Sequence, residues 1–518
     1  MSTQQQYDYV RATYFANQED FRSGEFMQQI EASGDIVTQL VNVYDSTVSG
    51  NIEITFAAAL PPAEKTALDT LVATFTLEEK NEYFDTVVDA NGLGNVQSVA
   101  EAFERGATSV YVRDGLYIET RNIVVPDGGQ LVGESQSNVK IVCVAGNSVV
   151  VDGSGGVKTS VGTISIGNMS STVTGVGTQF TAAAVGQFIL LGTNFHEIAT
   201  IASDTSLTIL EVYQGKSLST MKYVAQPMIT GIKVSNIVVV NSASTGIFYR
   251  AVRHSSLEGV AILHCTPNLI LQDCGDMSMT KVIGSSSVGV GVTLDNAVSV
   301  LVDTLDVYNS SSHGLELKNS SSSNVFDACS ASNNGGDGIM IGDGTDDLTI
   351  TSCVAKHNKG HGLHISTTGS NVVATGCTVV GNGDAGVLFE GINGILSDTN
   401  VRNNEGNGIA CGAGTVLSSN QVNDNVGVGV LIPNGSDRCS VSNCRVTGNT
   451  GDGIQIDASN CSVSGSIVCV NALHGIALET NARDTLVTGN QIISNTLGTV
   501  DVSLAAVLST IQANNIKQ

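Results

Sequence analysis

A glycine recurs every 21 to 24 residues through the C-terminal half of the chain, inside short motifs of the kind G-D-G-I-x-I. Self-similarity at a fixed period of this length is typical of a solenoid, in which each repeat packs only against its two neighbours. This repeat therefore limits the fold to a small set of stacked architectures. The recurring positions are Gly291, Gly314, Gly338, Gly362, Gly386, Gly408, Gly429, Gly453 and Gly475.

Two further columns of residues stand at fixed distances before the repeat position. Four residues earlier, asparagine occurs in eight successive repeats, as Asn334, Asn358, Asn382, Asn404, Asn425, Asn449, Asn471 and Asn495. Nine residues earlier stand small or polar residues, as Cys329, Cys353, Cys377, Thr399, Asn420, Cys444, Ser466 and Asn490. Apolar residues follow the glycine with a period of two. Each repeat therefore contains short strands separated by polar turns.

Two classes of solenoid have periods near this length. A leucine-rich repeat requires L-x-x-L-x-L, and the chain lacks that pattern. A parallel β-helix requires apolar strand positions and turn residues that can stack, and both are present. Equivalent residues of successive coils would lie about 4.8 Å apart, so each asparagine could hydrogen-bond its neighbours above and below. We predict an all-β parallel β-helix with about 23 residues per coil and roughly a dozen coils.

Other segments of the chain depart from the repeat. Residues 1–84 contain a strand-like run and a helix-like run that begins with proline, and we expect a small α/β attachment module there. Residues 85–156 should form a short helix that caps the stack, followed by its first coils. Residues 157–225 are rich in Thr, Ser and Gly and interrupt the period, which indicates an all-β insert. The main β-helix would occupy residues 226–518.

Charge and cysteine content exclude several classes of protein. The formal net charge is −25, whereas nucleic-acid binding requires a basic surface. No apolar run approaches about 18 residues, so we expect no membrane insertion. The 11 cysteines are odd in number and include no C-x-x-C pair. This favours buried, reduced thiols over a disulfide framework.

Three stretches of the sequence resemble known protein groups. NVQSVAEAFERGATSVYVRDGLYIETRNIVVPDGGQLVGES is similar to the opening of pectate-lyase-like right-handed β-helices, in which a short helix, a strand, G-x-Y and L-x-G recur. In the insert, TVTGVGTQF, VGQFI and IASDTSLT resemble a small β module of viral and phage tail or spike proteins. NIEITFAAALPPAEKTALDTLVATF resembles a short module of virion proteins. The resemblance implies a right-handed, single-stranded β-helix and a virion component of the spike, fibre, vertex or minor capsid type.

The resemblance also raises the possibility of polysaccharide chemistry, because enzymes of this superfamily cleave or epimerise acidic polysaccharides. The family motifs N-T-D, R-I-K and D-P-H are absent from the chain. Lysine and arginine are scarce between residues 284 and 440, which counts against a lyase site. H-G pairs do occur, at His313, His361 and His474.

Candidate catalytic residues cluster in three successive repeats, at His313, Glu316, Asp337, His361 and His364. Three of them precede the repeat glycine and would form one column at steps of about 4.8 Å. The other two follow the glycine and would lie about 10 Å apart in a parallel column. Such a group could perform general acid–base catalysis or hold a metal ion.

The same phase also carries polar residues in repeats without such a group, namely Asn407 and Asp452. A solvated, outward-facing corner that prefers polar residues explains this pattern. We adopt this interpretation and predict no metal site and no cofactor.

These observations favour a structural virion protein, assembled in the host cytoplasm and bound to other virion proteins. Contact with a host surface glycan and side-by-side packing as a trimer are further expectations of the resemblance. The alternative is a polysaccharide lyase or hydrolase that acts on a host cell-wall or capsule polymer. A glycan-binding adhesin without cleavage is a third hypothesis.

Overall fold

The computed structural model describes residues 5–10, 30, 36, 38, 40–46, 51–74, 84–92, 94–192, 194–240, 243–366, 370–502, 510–511 and 516–517. The chain forms two compact units, Met1–Phe84 and Asp85–Gln518. No helix among these described residues is long and apolar enough to cross a bilayer.

The first unit contains a three-stranded antiparallel sheet followed by a helix. The strands are Gln5–Val10, Leu40–Ser46 and Asn51–Phe56, with the last of these in the middle. The helix is Pro62–Thr74, and its first residue is a proline, which suits a position where no intrahelical N–H is needed. Leu68 and Val72 lie four residues apart on this helix and are buried, as are Ile54 and Phe56 of the sheet.

The second unit is built on a parallel β-helix, which confirms the predicted fold class. Its coils pass through three stacked faces. The first face contains Thr86–Val88, Ser109–Val112, Gln130–Gly133, Ile229–Thr230, Lys233–Ser235, Val252–Glu258, Gly275–Ser285, Leu301–Tyr308, Val325–Asp327, Thr349–Thr351, Val373–Thr375, Ile395–Ser397, Val416–Ser418, Ser440–Ser442, Ser462–Ser464, Leu486–Thr488 and Thr510–Ile511.

The second and third faces complete each coil. The second face shares Gly275–Ser285 and Leu301–Tyr308 with the first. Its other strands are Gly115–Glu119, Val139–Cys143, Val238–Val240, Ala261–Leu263, Ser330–Ser332, Val354–Lys356, Thr378–Val380, Asn400–Arg402, Gln421–Asn423, Arg445–Thr447, Ile467–Cys469, Gln491–Ile493 and Ile516–Lys517. The third face contains Ile123–Val124, Val149–Asp152, Ile247–Arg250, Leu269–Gln272, Val292–Asp295, Leu315–Lys318, Ile339–Ile341, Leu363–Ile365, Val387–Phe389, Ile409–Ala410, Val430–Ile432, Ile454–Ile456, His474–Leu478 and Gly498–Val502.

Strand register keeps the apolar residues inside the stack. On the third face Ile339 lies beside Leu363, and Leu363 beside Val387. All three side chains are buried in one continuous core. The third face contains 14 strands among the described residues, so the stack is longer than the dozen coils predicted from the sequence.

A short helix, Val99–Glu104, packs on the beginning of the β-helix. Its residues Val99 and Phe103 belong to the same apolar core as the first coils. The buried carboxylate of Glu119 accepts hydrogen bonds from Ser98 Oγ at 2.8 Å and from the Val99 N–H at 2.6 Å. This carboxylate satisfies helix N-terminal donors that have no partner within the helix.

The insert, residues 157–225, does not interrupt the pairing of coils in the stack. Leu131 lies beside Val234, and Val149 beside Ile247, so coils before and after the insert pair directly. The insert itself has its own apolar core and a short 3₁₀ helix, Phe180–Ala182. Its antiparallel strands are Thr163–Ile166, Ser170–Val176, Phe188–Leu191, Asn194–Ser203, Ser206–Tyr213, Leu218–Met221 and Ala225–Gln226.

The eight repeat asparagines form a continuous column of hydrogen bonds, which we call the asparagine ladder. From Asn334 to Asn495, each Nδ2 donates to the Oδ1 one coil further on at 2.9–3.0 Å. Each backbone N–H donates to the same oxygen at 2.9–3.1 Å. All but the last of these residues are buried. Because both amide atoms are paired, the cost of burying them is offset.

The repeat glycine stands where the next coil packs closely against it: a Cβ at Gly408 would lie 2.3 Å from Val422 Cγ1 and 2.5 Å from the Gly429 carbonyl oxygen. A Cβ atom at Gly314, or at the equivalent glycine of each later coil through Gly475, would lie 2.6–2.8 Å from the Nδ2 of the ladder asparagine in the next coil. None of these eight glycines has a positive φ. The glycine therefore gives the amide room for its close approach and is not needed for a left-handed turn.

The cysteines are core residues. All 11 are reduced and ten are buried, which confirms their prediction as small apolar groups. Burial raises the pKa of the Cys143 and Cys377 thiols to about 12, so both remain protonated at neutral pH. In the second column, Cys377 Sγ donates to the Thr375 carbonyl at 3.5 Å.

Replacing Asn404 by alanine should strongly destabilise the β-helix. The change removes the acceptor of both the Asn382 N–H and its Nδ2, and leaves two buried donors unpaired. At about 1–3 kcal/mol for each unpaired group, urea unfolding should report a loss of about 3 kcal/mol.

The matched control is Asn403→Asp, at the neighbouring exposed residue, whose φ of 55° aspartate tolerates. It should stay within about 0.5 kcal/mol of the unaltered chain. Equal urea midpoints for Asn404→Ala and the control would show that the ladder contributes no stability.

Candidate functional site

The third face carries an outward-pointing column of side chains across successive coils. Because strand residues alternate between the two sides of a sheet, the side chains between the buried positions point away from the core. The column is apolar at its first and last members and carries polar side chains at Thr293, Glu316 and His364. In order, its members are Phe248, Ile270, Thr293, Glu316, Met340, His364, Leu388, Ala410 and Leu431.

A cavity of about 390 Å³ opens over the first four members of this column, and we call it the third-face groove. Its walls combine apolar side chains, including Phe248 and Ile270, with Asp295, Glu316 and Lys318. Lys318 Nζ lies 3.8 Å from Glu316 Oε2, so these two charges offset each other. An apolar surface with a few polar groups at fixed positions is typical of a small-molecule or saccharide-sized site.

The residue before each repeat glycine lies at a corner of the coil and has a structural task. In four coils its side chain accepts a backbone N–H from the next coil, and this explains why the position prefers polar residues. The four bonds are Asp337 N–H to His313 Nδ1 at 3.0 Å, His361 N–H to Asp337 Oδ1 at 2.7 Å, Val428 N–H to Asn407 Oδ1 at 2.9 Å, and His474 N–H to Asp452 Oδ1 at 2.7 Å.

His361 occupies this corner but does not make the same bond. The N–H that it would accept, from Ala385, donates instead to Asp384 Oδ1 at 2.9 Å. His361 Nδ1 is therefore buried without a hydrogen-bond partner. His361 Nε2 lies 3.7 Å from Asp384 Oδ2.

Around His361 the structure gathers several ionisable groups. His364 Nδ1 lies 3.0 Å from Asp337 Oδ2, and His364 Nε2 lies 3.4 Å from Glu390 Oε2. The rings of His361 and His364 meet edge to face, with centroids 4.9 Å apart. His313 Nδ1 lies 3.4 Å from Asp337 Oδ2. One donor atom from each of Asp337, His361 and His364 lies within 4.8 Å of the other two.

Hydrogen bonding sets the charges of the central pair. Burial of Asp337 opposes its ionisation, but hydrogen bonds from His364 and from the His361 N–H outweigh burial and hold the pKa of Asp337 below its ordinary value. Burial of the His364 ring opposes its protonation, but hydrogen bonds to Asp337 and Glu390 outweigh this and raise the pKa of His364. The pair therefore favours a carboxylate beside an imidazolium, which can accept or donate a proton.

The structure brings four of the five predicted candidates into one cluster. His313, Asp337, His361 and His364 are in contact, whereas Glu316 lies two coils from His364 in the same column and lines the groove. Asp337 is buried, so the prediction of a solvated corner is wrong for this residue. The reason is that its carboxylate accepts a hydrogen bond from the His361 N–H in the next coil.

Sequence reasoning missed two acidic members of the cluster. Asp384 lies two residues before a repeat glycine, so the repeat alignment could have placed it there. Glu390 follows the strand Val387–Phe389, and the equivalent residue one coil earlier is Ser366. Acidic residues recur at this position in later coils, as Asp457 and Glu479, so the repeat alignment could also have placed Glu390 there.

Comparison with known proteins places the fold among β-helices. A family model described as the right handed beta helix region matches residues 221–379 and 372–516, which together make up more than half of the chain. No curated protein matches the chain in sequence.

Solved structures share the fold at low identity. The chain is similar to the tailspike protein gp49 from Pseudomonas phage LKA1, with 13% identity, a TM-score of 0.49, and coverage of 80% of this chain and 77% of that one. It is similar to the A-module of the Azotobacter vinelandii mannuronan C-5 epimerase AlgE6, with 13% identity, a TM-score of 0.44, and coverage of 81% and 93%. For the gp54 tailspike of Acinetobacter baumannii bacteriophage AP22, solved with a capsular saccharide, identity is 9%, the TM-score 0.39, and coverage 81% and 76%.

Proposed function

The chain belongs to the right-handed β-helix family, and from this premise we propose that it is a structural virion component of the spike, fibre, vertex or minor capsid type. The asparagine ladder is the observation that carries this proposal. It pairs buried amides coil after coil, which supports a stiff, protease-resistant element with few local openings. The resemblance of the insert and of residues 51–75 to viral modules supports the same context.

In this proposal the chain is assembled into the virion in the host cytoplasm. Residues 1–84 attach it to other virion proteins, and the β-helix is the exposed part that contacts the host. The division of the chain at Phe84 is consistent with a separate attachment module. The net charge of −25 is consistent with binding proteins and glycans in preference to nucleic acid.

The third-face groove is the proposed contact with a host surface glycan. Phe248 contributes an aromatic ring to the wall of the groove. The Arg250 guanidinium lies over this ring, 5.6 Å from its centroid. The carboxylates of Asp295 and Glu316 can accept hydrogen bonds from sugar hydroxyls. Because the nearby charges of Lys318 and Glu316 offset each other, a neutral, hydroxyl-rich polymer suits this groove better than an acidic one.

Side-by-side packing as a trimer is supported by an exposed apolar column on the first face. Leu301, Val325, Ile395 and Val416 fall in one register column and are 50%, 37%, 39% and 38% exposed. Aligned apolar side chains of this kind are typical of surfaces that are covered by another copy or a partner.

The alternative function is cleavage of the bound polymer. The observation that favours it is the Asp337–His364 pair, which provides a carboxylate and a proton donor on the same face as the groove. This alternative predicts new reducing ends or unsaturated sugars, whereas simple attachment predicts neither.

Virus particles purified on a density gradient should contain the 53.4 kDa chain. We expect the chain to remain with the particles through a high-salt wash, because it is built into their structure, and mass spectrometry of the washed particles provides the measurement. An abundant non-virion protein from the same infected cells is the control. A chain that is present in the lysate but absent from washed particles contradicts a virion role.

Phe248→Ala should weaken glycan binding by about tenfold, equivalent to about 1.4 kcal/mol of lost contact. A panel of neutral host-surface glycans, tested first on an array and then by calorimetry, measures the change. Leu431→Ala is the matched control, because it removes an apolar side chain from the same column far from the groove. Equal affinities of the two variants would contradict the placement of the glycan.

The double variant Ile395→Lys with Val416→Lys should convert the trimer to monomer, because it places two charges on the proposed interface. Native mass spectrometry measures the oligomeric state. Val426→Lys is the control, since Val426 is 60% exposed and lies outside this column. An unaltered chain that is already monomeric, or a double variant that remains trimeric, rules out this interface.

A further inference from the structure

The cluster of Asp337, His361 and His364 has the donor set of a zinc site. Two imidazoles and one carboxylate are a common protein contribution to zinc, with the remaining position left for water or another ligand. We propose that these three residues bind one divalent transition-metal ion of the zinc class. This site goes beyond the proposed attachment function and does not depend on it.

The first argument is the exception at His361. In four other coils the side chain of the corner residue accepts a hydrogen bond from a backbone N–H of the next coil. At His361 that N–H is taken by Asp384, and Nδ1 is left buried with no partner. A buried polar atom without a partner is costly, and a bound metal ion would satisfy it.

The second argument is how the carboxylate is held. Asp337 Oδ1 is engaged by the His361 N–H at 2.7 Å, and Oδ2 is directed at His364. The hydrogen bond to Oδ1 orients the carboxylate, and Oδ2 is the oxygen that can bind the metal ion. An ion between Asp337 and His364 would replace the proton that they share, so metal binding releases a proton.

The third argument is the surroundings of the donors. Glu390 lies 3.4 Å from His364 Nε2, which matches the carboxylate that commonly orients a metal-bound histidine through its other nitrogen. The three donor atoms lie within 4.8 Å of one another, and bonds of about 2.0–2.2 Å to one ion place its ligands less than about 4.4 Å apart. Both histidine side chains are 17% exposed, so neither ring is fully enclosed by the core.

A second Asp–His pair shows what the corner looks like without such a site. His474 bonds Asp452 through both its backbone N–H, at 2.7 Å, and its Nδ1, at 3.0 Å. The position equivalent to His364 is Ala477 there, which supplies no donor, and Asp501 Oδ2 lies 3.9 Å from His474 Nε2 without completing a group of three close donors. Among the residues that the structure describes, one group alone brings three His, Cys, Asp or Glu donors this close together.

Cobalt and zinc titrations of the full-length chain test this site. The protein is first stripped with a chelator, and Co²⁺ is followed by visible absorption before displacement by Zn²⁺. We expect about one equivalent of Co²⁺ to bind at micromolar concentration and to be displaced by zinc. Asp337→Asn retains an oxygen that can accept the His361 N–H, as Asn407 does for Val428. It should nevertheless lower affinity by more than about 100-fold, because it removes the anionic ligand itself.

His364→Gln should cause a similar loss of metal affinity, and His474→Gln should cause none. Thermal unfolding provides an independent readout: saturating Zn²⁺ should raise the Tm of the unaltered chain and of His474→Gln, but not that of His364→Gln. Absence of binding at micromolar metal, or equal affinity in His364→Gln and His474→Gln, would overturn the proposal. Neither result would bear on particle attachment, which is measured separately.

Discussion

The buried amide is the constraint on which the β-helix depends from Asn334 to Asn495. An asparagine side chain inside a protein must find partners for two donors and an oxygen. Asn358 Nδ2 donates to Asn382 Oδ1 in the next coil and to the Ala331 carbonyl in the preceding coil, and its Oδ1 accepts from Asn334. The ladder adds side-chain hydrogen bonds at each step to the backbone hydrogen bonds of the parallel strands. The repeat glycine has a related cause, since a side chain at Gly408 would collide with the Val422 side chain, the Gly429 carbonyl and the Asn425 amide of the next coil. Both strong sequence signals thus mark close contacts between successive coils.

Because the ladder and the apolar columns hold the stack together, the outward positions are free to vary. The third face uses this freedom for a mixed groove near Phe248 and for ionisable groups near His364. The corner before each glycine is only partly free, because its side chain accepts a backbone N–H. Where another residue accepts that N–H, the corner side chain is left to bind other groups. This happens at His361, because Asp384 accepts the Ala385 N–H in its place.

Much of the fold could be predicted from the sequence because a solenoid repeats its local interactions. The period, the parallel stack and the buried cysteines all follow from columns of like residues. The repeat itself accounts for roughly a dozen coils, and the coils near Leu131, which lack the glycine and asparagine pattern, pair with the stack and add to that number. The unpaired Nδ1 of His361 was not predictable, because side-chain orientation at a single position leaves no repeated mark. The acidic residue at Glu390 does recur in later coils, as Asp457 and Glu479. Function is less determined than fold, since one β-helix supports many activities.

The most direct test of the ladder is hydrogen exchange of its own backbone amides, measured residue by residue. The N–H groups of Asn358, Asn382 and Asn425 each donate to an asparagine Oδ1 one coil away. The account predicts that these amides exchange only through large-scale opening of the β-helix, as slowly as the central strands. Exchange as fast as that of exposed turn residues such as Asn434 would contradict it, and would mean that the ladder hydrogen bonds do not hold these coils together.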